Sequence, residues 1–114
     1  MIIKMLSTSI KIGNRMYSIA SLCDEDFDLI LMKYRIFDQE IKSFIDYDDQ
    51  IIVVREKLPI DYQQELILHE LLHACLNDAG IEQGKDDERF INILAPRLSS
   101  LISSGIVEAI SKFR

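Results

Sequence analysis

The sequence predicts an α+β fold, in which a small antiparallel or mixed sheet packs on one long helix and on the helix that follows it. Three observations carry this prediction. Pairs of strand-like segments flank turn residues in the first half, a capped helical segment occupies the middle, and an apolar pattern of helical period follows. The 114 residues suit one domain, 1–114, with a single core. No internal repeat, low-complexity tract or Pro/Gly/Ser-rich linker divides the chain.

The elements follow in order. Ser9–Ile12 and Met16–Ala20 flank Gly13-Asn14-Arg15, residues that tolerate positive φ, and predict a hairpin. From about Asp24 to Tyr34, the residues Phe27, Ile30, Leu31 and Tyr34 recur at i, i+3, i+4, i+7 and form one apolar stripe. Asp24, Glu25 and Asp26 in its first turn, and Lys33 near its end, complement the helix dipole. A second hairpin is expected where residues 37–46 lead into Tyr47-Asp48-Asp49 and QIIVVRE follows as 50–56. Its Ile51-Ile52-Val53-Val54 run is β-branched throughout, which favours strand.

A helix of about 62–79 comes next. Asp61 and Gln64 have the spacing of a capping box, and Gly80 is placed to close the helix as its C′ residue. After the polar IEQGKDD, another helix should start near Asp87, with Phe90, Ile91, Leu94, Leu98, Leu101 and Ile102 on its buried side. Pro96 inside that pattern predicts a kink or a break into two helices. Gly105 separates off the terminal IVEAISKFR.

Composition narrows the function classes. With 48% apolar and 28% charged residues, the chain has an ordinary globular balance and is not a disordered one. Its net charge of −6, from 19 acidic and 13 basic side chains, offers no footprint for a phosphate backbone, so no nucleic-acid partner is expected. Cys23 and Cys75 lie far apart without CxxC spacing, unlike a disulfide framework. No run approaches the roughly 20 apolar residues of a membrane span. MIIKMLSTSIKIGNR lacks a signal-peptide apolar core with a cleavage site, so a reducing cytoplasm is the expected compartment.

The chemistry concentrates in LILHELLHACLNDAG, residues 66–80, which contain both histidines of the chain. Positions four apart on a helix lie about 40° apart, one turn up. His69 and His73 can therefore point ring nitrogens at one metal ion, and neutral imidazole suits Zn²⁺. Glu70, one residue on, stands beside the pair, where it can reach a metal-bound water as general base. Given two His and eight Glu, chance assembles H-E-x-x-H on the order of once in 800 such chains, so an accidental pair on a helix is the weaker reading.

A catalytic zinc usually takes three protein ligands, and no third histidine exists. Cys75 should project to another face as a buried core thiol, and nothing points to Cys23. The acidic candidates downstream are Glu82, Asp86, Asp87 and Glu88. Glu82 follows Gly80 too closely to reach back over His73 with ease. Glu88 shares a face with Ile91 and Ala95 and should point inward; Asp87, on the face of Leu94 and Leu98, is the other candidate. Glu88 can also be read as a plain acidic residue in a helical first turn.

HELLH (69–73), Gly80 and DERFINILA (87–95) together resemble the gluzincin-type zinc peptidases, and among them the small phage- and prophage-encoded peptidases of the ImmA/IrrE kind. The likeness is specific over the two helices and looser over the hairpin, helix and strand before them. It implies a minimal zincin-like domain. It also implies His69, His73 and Glu88 as zinc ligands, Glu70 as catalytic base, and a protein or peptide substrate such as a regulatory protein. Thermolysin-like gluzincins place an aspartate, bonded to a ligand histidine, four residues after the ligand glutamate. Here that position is Asn92, which either orients an imidazole through its carbonyl oxygen or stands in solvent. The resemblance further implies a strand that pairs with an extended substrate, for which residues 50–55 are the counterpart.

With both histidines assigned to metal, an oxyanion would fall to a tyrosine: Tyr17, Tyr34, Tyr47 or Tyr62. The expected activity is peptide hydrolysis. The alternative is a zinc-stabilised module, derived from a peptidase fold, that binds a partner and cleaves nothing.

Overall fold

The structure, a computed structural model, describes residues 8–38 and 40–113. β1 (Thr8–Ile12) and β2 (Arg15–Leu22) pair antiparallel with Ile12 opposite Arg15. The turn between them is therefore Gly13-Asn14, and Arg15 already belongs to the second strand. Gly13 sits at φ 60, a left-handed conformation that glycine adopts without a Cβ penalty.

α1 (Asp24–Lys33) buries Phe27, Ile30 and Leu31. β3 (Ser43–Asp46) and β4 (Ile51–Arg55) form the second hairpin, with Asp46 opposite Ile51. The Asp46 carboxylate accepts the N–H groups of Asp48 and Asp49, each at 2.8 Å, which closes the turn locally.

The four strands make one mixed sheet in the order β1-β2-β4-β3, with β2 and β4 parallel. That order explains the β-branched run. Ile52, Val53 and Val54 have no solvent exposure, because a central strand covered on both faces needs apolar residues without alternation. The order also corrects the assignment of residues 50–55 as a peptide-pairing strand. Both edges of β4 are bonded, one to β2 and the other to β3. At this end of the sheet β3 is the edge strand.

The period of two sorts the side chains. On one face, Ala20, Leu22 and Val53 pack on Phe27, Ile30 and Leu31 of α1. On the other, Ile12, Tyr17 and Ile52 pack on Ala74 of the long helix, with Ile45 and Leu71 beside them. Each such large side chain contributes about 1.5–3 kcal/mol by leaving water.

The long helix, α2, spans Ile60–Asp78 with Pro59 at its N-cap. It starts earlier than the capping-box reading of Asp61 and Gln64, and no side chain caps it. Pro59 is already extended at ψ 145, and its carbonyl accepts Gln63 N–H at 2.9 Å, which leaves Asp61 within the first turn. Gly80 does close the helix: at φ 74, it donates to Asn77 O, and Ile81 N–H reaches Leu76 O at 3.0 Å, the two bonds of a Schellman end.

α3 (Lys85–Ser103) runs through Pro96 as one helix, so the break into two helices does not occur. Its expected buried stripe needs correction too. Ile91 and Ala95 are buried, whereas Phe90, Leu101 and Ile102 are 60, 47 and 50% exposed. α3 packs chiefly against α2, so only the narrow row facing α2 is covered. Gly105, at φ 87, separates the short α4 (Ile106–Ser111). Among the described residues, no helix is long and apolar enough to cross a membrane.

Candidate metal centre

α2 lies on the sheet with Gln63, Glu70 and Ala74 buried along one face. Gln63 holds the helix start in place. Its amide nitrogen donates to Glu56 O and Leu58 O at 3.0 and 2.7 Å, and its amide oxygen accepts the Ser21 hydroxyl. Glu70, on the same face, is only 6% exposed, and its Oε2 accepts the Ser43 hydroxyl of β3 at 2.7 Å. Ser43 alternates with Phe44 and so faces α2, as Ile45 does. Burial pushes the Glu70 carboxyl above its ordinary value and Glu88 adds to that, while the Ser43 bond and the two histidines oppose it.

His69 and His73, one turn apart, converge on the side of α2 that faces α3. Their Nε2 atoms are 3.2 Å apart, and their ring planes meet at 64°. Glu88, in the first turn of α3, closes the set. Its Oε1 lies 3.0 Å from His69 Nε2 and its Oε2 lies 2.7 Å from His73 Nε2. The neighbouring Asp87 is engaged elsewhere, accepting Gly84 N–H at 2.8 Å to cap the same helix.

The donor set fits a divalent cation. One ligand atom each from His69, Glu70 and His73 lies within 4.8 Å of the others, an arrangement that could hold a metal ion. Two imidazole nitrogens and a carboxylate all bring lone pairs to one point, a grouping favourable around a positive charge and unfavourable without one. Among the described residues, no Lys or Arg pairs with Glu70 or Glu88.

The remaining sequence candidates fall outside this cluster. Cys75 is exposed rather than buried, because it sits about 100° round the helix from the buried Ala74. Cys23 is the N-cap residue of α1, and Glu82 and Asp86 are exposed. Asn92 lines a cleft of about 140 Å³ together with His69, Ser43 and Tyr62. The residue that bonds a histidine ring away from Glu88 is instead Gln83, whose amide oxygen faces His73 Nδ1. Sequence reasoning missed Gln83, which lies in a polar loop with no periodicity or motif to single it out.

The tyrosines divide in the same way. Tyr62 shares the cleft beside His69 and accepts from Lys42 at 3.3 Å, and Tyr47 accepts from the Gln83 amide at 3.3 Å. Tyr34 donates to Asp49, and the buried Tyr17 hydroxyl has no partner among the described residues. Comparison with family models, with curated proteins and with solved structures finds no match to this chain.

Proposed function

We propose that this chain is a zinc-dependent peptidase of minimal size, with a zincin-like fold resembling the gluzincins. The observation that carries this reading is the Glu88 carboxylate lying against both histidine Nε2 atoms, with the buried Glu70 next to them in sequence. His69, His73 and Glu88 would hold the ion. Bound zinc supplies Lewis acidity, making a water acidic near neutral pH and polarising a carbonyl.

The chain's own groups do the rest. Glu70 takes a proton at its carboxylate and returns it to the leaving amine; its raised pKa suits a group that must both accept and release a proton. Ser43 holds one Glu70 oxygen and leaves the other for the reaction. β3, at the sheet edge, offers main-chain groups to an extended substrate beside the cleft that contains His69 and Tyr62. A cytoplasmic regulatory protein, as the resemblance implies, is the proposed substrate.

The second reading, a zinc-stabilised binding module, is favoured by the small size of that cleft, about 140 Å³. Peptide-library cleavage by the zinc-loaded protein and by Glu70→Gln separates the two. The peptidase reading expects cleavage by the wild type and a loss of about 10²–10⁴-fold or more in the variant, with zinc retained. Equal rates for the two proteins would overturn Glu70 as the base, and no cleavage by either would favour the binding module.

A further inference from the structure

We propose that Gln83 is a positioning residue that accepts the Nδ1–H of His73 and so aims the Nε2 of that ring at Glu88 and the proposed zinc centre. This inference rests on the zinc centre proposed above. Gln83 lies in the loop between α2 and α3. Its amide nitrogen is 3.3 Å from the main-chain oxygen of His73 and 3.3 Å from the Tyr47 hydroxyl. A carbonyl oxygen can only accept, so the NH₂ group must lie on that side and Oε1 must face the ring. Oε1 carries no proton, so the bond to His73 needs a hydrogen on Nδ1.

That bond fixes the ring with its Nε2 2.7 Å from Glu88 Oε2 and 3.2 Å from His69 Nε2. Without Gln83, Nδ1 loses its acceptor and the ring loses the bond that fixes its rotation, so Nε2 is no longer held toward Glu88 and His69. Tyr47, on the turn between β3 and β4, and the His73 carbonyl together hold the amide in this orientation. The structure thus gives Gln83 the place that the sequence reading considered for Asn92.

The test uses two readouts on the full chain. In the first, ¹⁵N NMR of the zinc-loaded protein reports the His73 Nδ1 proton, with a hydrogen-bonded, slowly exchanging Nδ1–H expected in the wild type and fast exchange in Gln83→Ala. In the second, chelator competition measures zinc affinity. A 10- to 100-fold loss is expected in Gln83→Ala, with recovery in Gln83→Glu, whose carboxylate also accepts from Nδ1, and no change in the exposed neighbour Glu82→Ala. Unaltered affinity and an unaltered Nδ1–H exchange rate in Gln83→Ala would overturn the role of Gln83. A wild type that binds no zinc would instead overturn the centre itself.

Discussion

Two polar clusters flank the sheet, one on each face, and they are built on opposite principles. On the α1 face, Arg55 at the end of β4 is 4% exposed, yet every part of it is satisfied. Its two terminal nitrogens pair with Asp24 at 3.0 Å and Asp28 at 2.8 Å, its Nε donates to Ile41 O, and it lies over the Phe27 ring. On the α2 face, two histidines and two glutamates gather without such a cation. A buried charge persists only when it is paired. The first cluster is complete within the chain, and the second gathers donor atoms that could hold a metal ion. The first is therefore a structural anchor joining α1 to the sheet, and the second is where we place the chemistry.

The largest effect should come from breaking the anchor. Arg55→Met removes the guanidinium from the Phe27 ring and its charged hydrogen bonds to Asp24, Asp28 and Ile41 O, and should cost about 3 kcal/mol in denaturant unfolding. Zinc affinity should stay unchanged, and a parallel loss of zinc would show that the two clusters are not independent. On the other face, Glu88→Ala should weaken zinc binding by about 10- to 100-fold, or about 1.4–2.8 kcal/mol. Asp87→Ala should instead cost about 1 kcal/mol of stability through its lost cap, with zinc affinity intact. The reverse pattern in chelator titrations would make Asp87 the ligand.

Acid should separate the clusters more gently. Bonds from Lys57 and Arg55 hold the Asp24 carboxyl below its ordinary value, so its contribution is present above that value and fades as pH falls through the lowered one. Glu70 is shifted upward, chiefly by burial. In the metal-free protein, its contribution is present below the ordinary glutamate value and fades as pH rises through the raised one. Urea midpoints across about pH 3–7 should therefore lose the acid-side slope in Asp24→Asn and the opposing slope in Glu70→Gln. An unchanged profile in Glu70→Gln would mean that its burial leaves no titration signature.

The same contrast marks what was legible in the sequence. HELLH and Glu88 lie on helices, where a spacing of four and a shared face translate directly into direction, so the sequence anticipated that these side chains would meet. The hairpins were legible for the same local reason. The parallel pairing of β2 with β4 was not, because nothing local to either strand specifies a neighbour reached only after α1 and β3. That one missing contact makes residues 50–55 read as an edge strand, a place that β3 holds. Arg55 and Gln83 were missed because their partners lie on other elements: Asp24 and Asp28 for one, His73 and Tyr47 for the other. Phe90, Leu101 and Ile102 read as core in the sequence because their periodicity shows an apolar face but not whether anything covers it.

The central claim is that His69, His73 and Glu88 bind one zinc ion across α2 and α3. X-ray absorption at the zinc edge of the loaded protein tests it most directly. The account predicts one zinc per chain, with two imidazole nitrogens at about 2.0–2.1 Å, a carboxylate oxygen at about 2.0–2.2 Å, and loss of the carboxylate contribution in Glu88→Ala. A sulfur scatterer at about 2.3 Å, or a spectrum unmoved by Glu88→Ala, would contradict it.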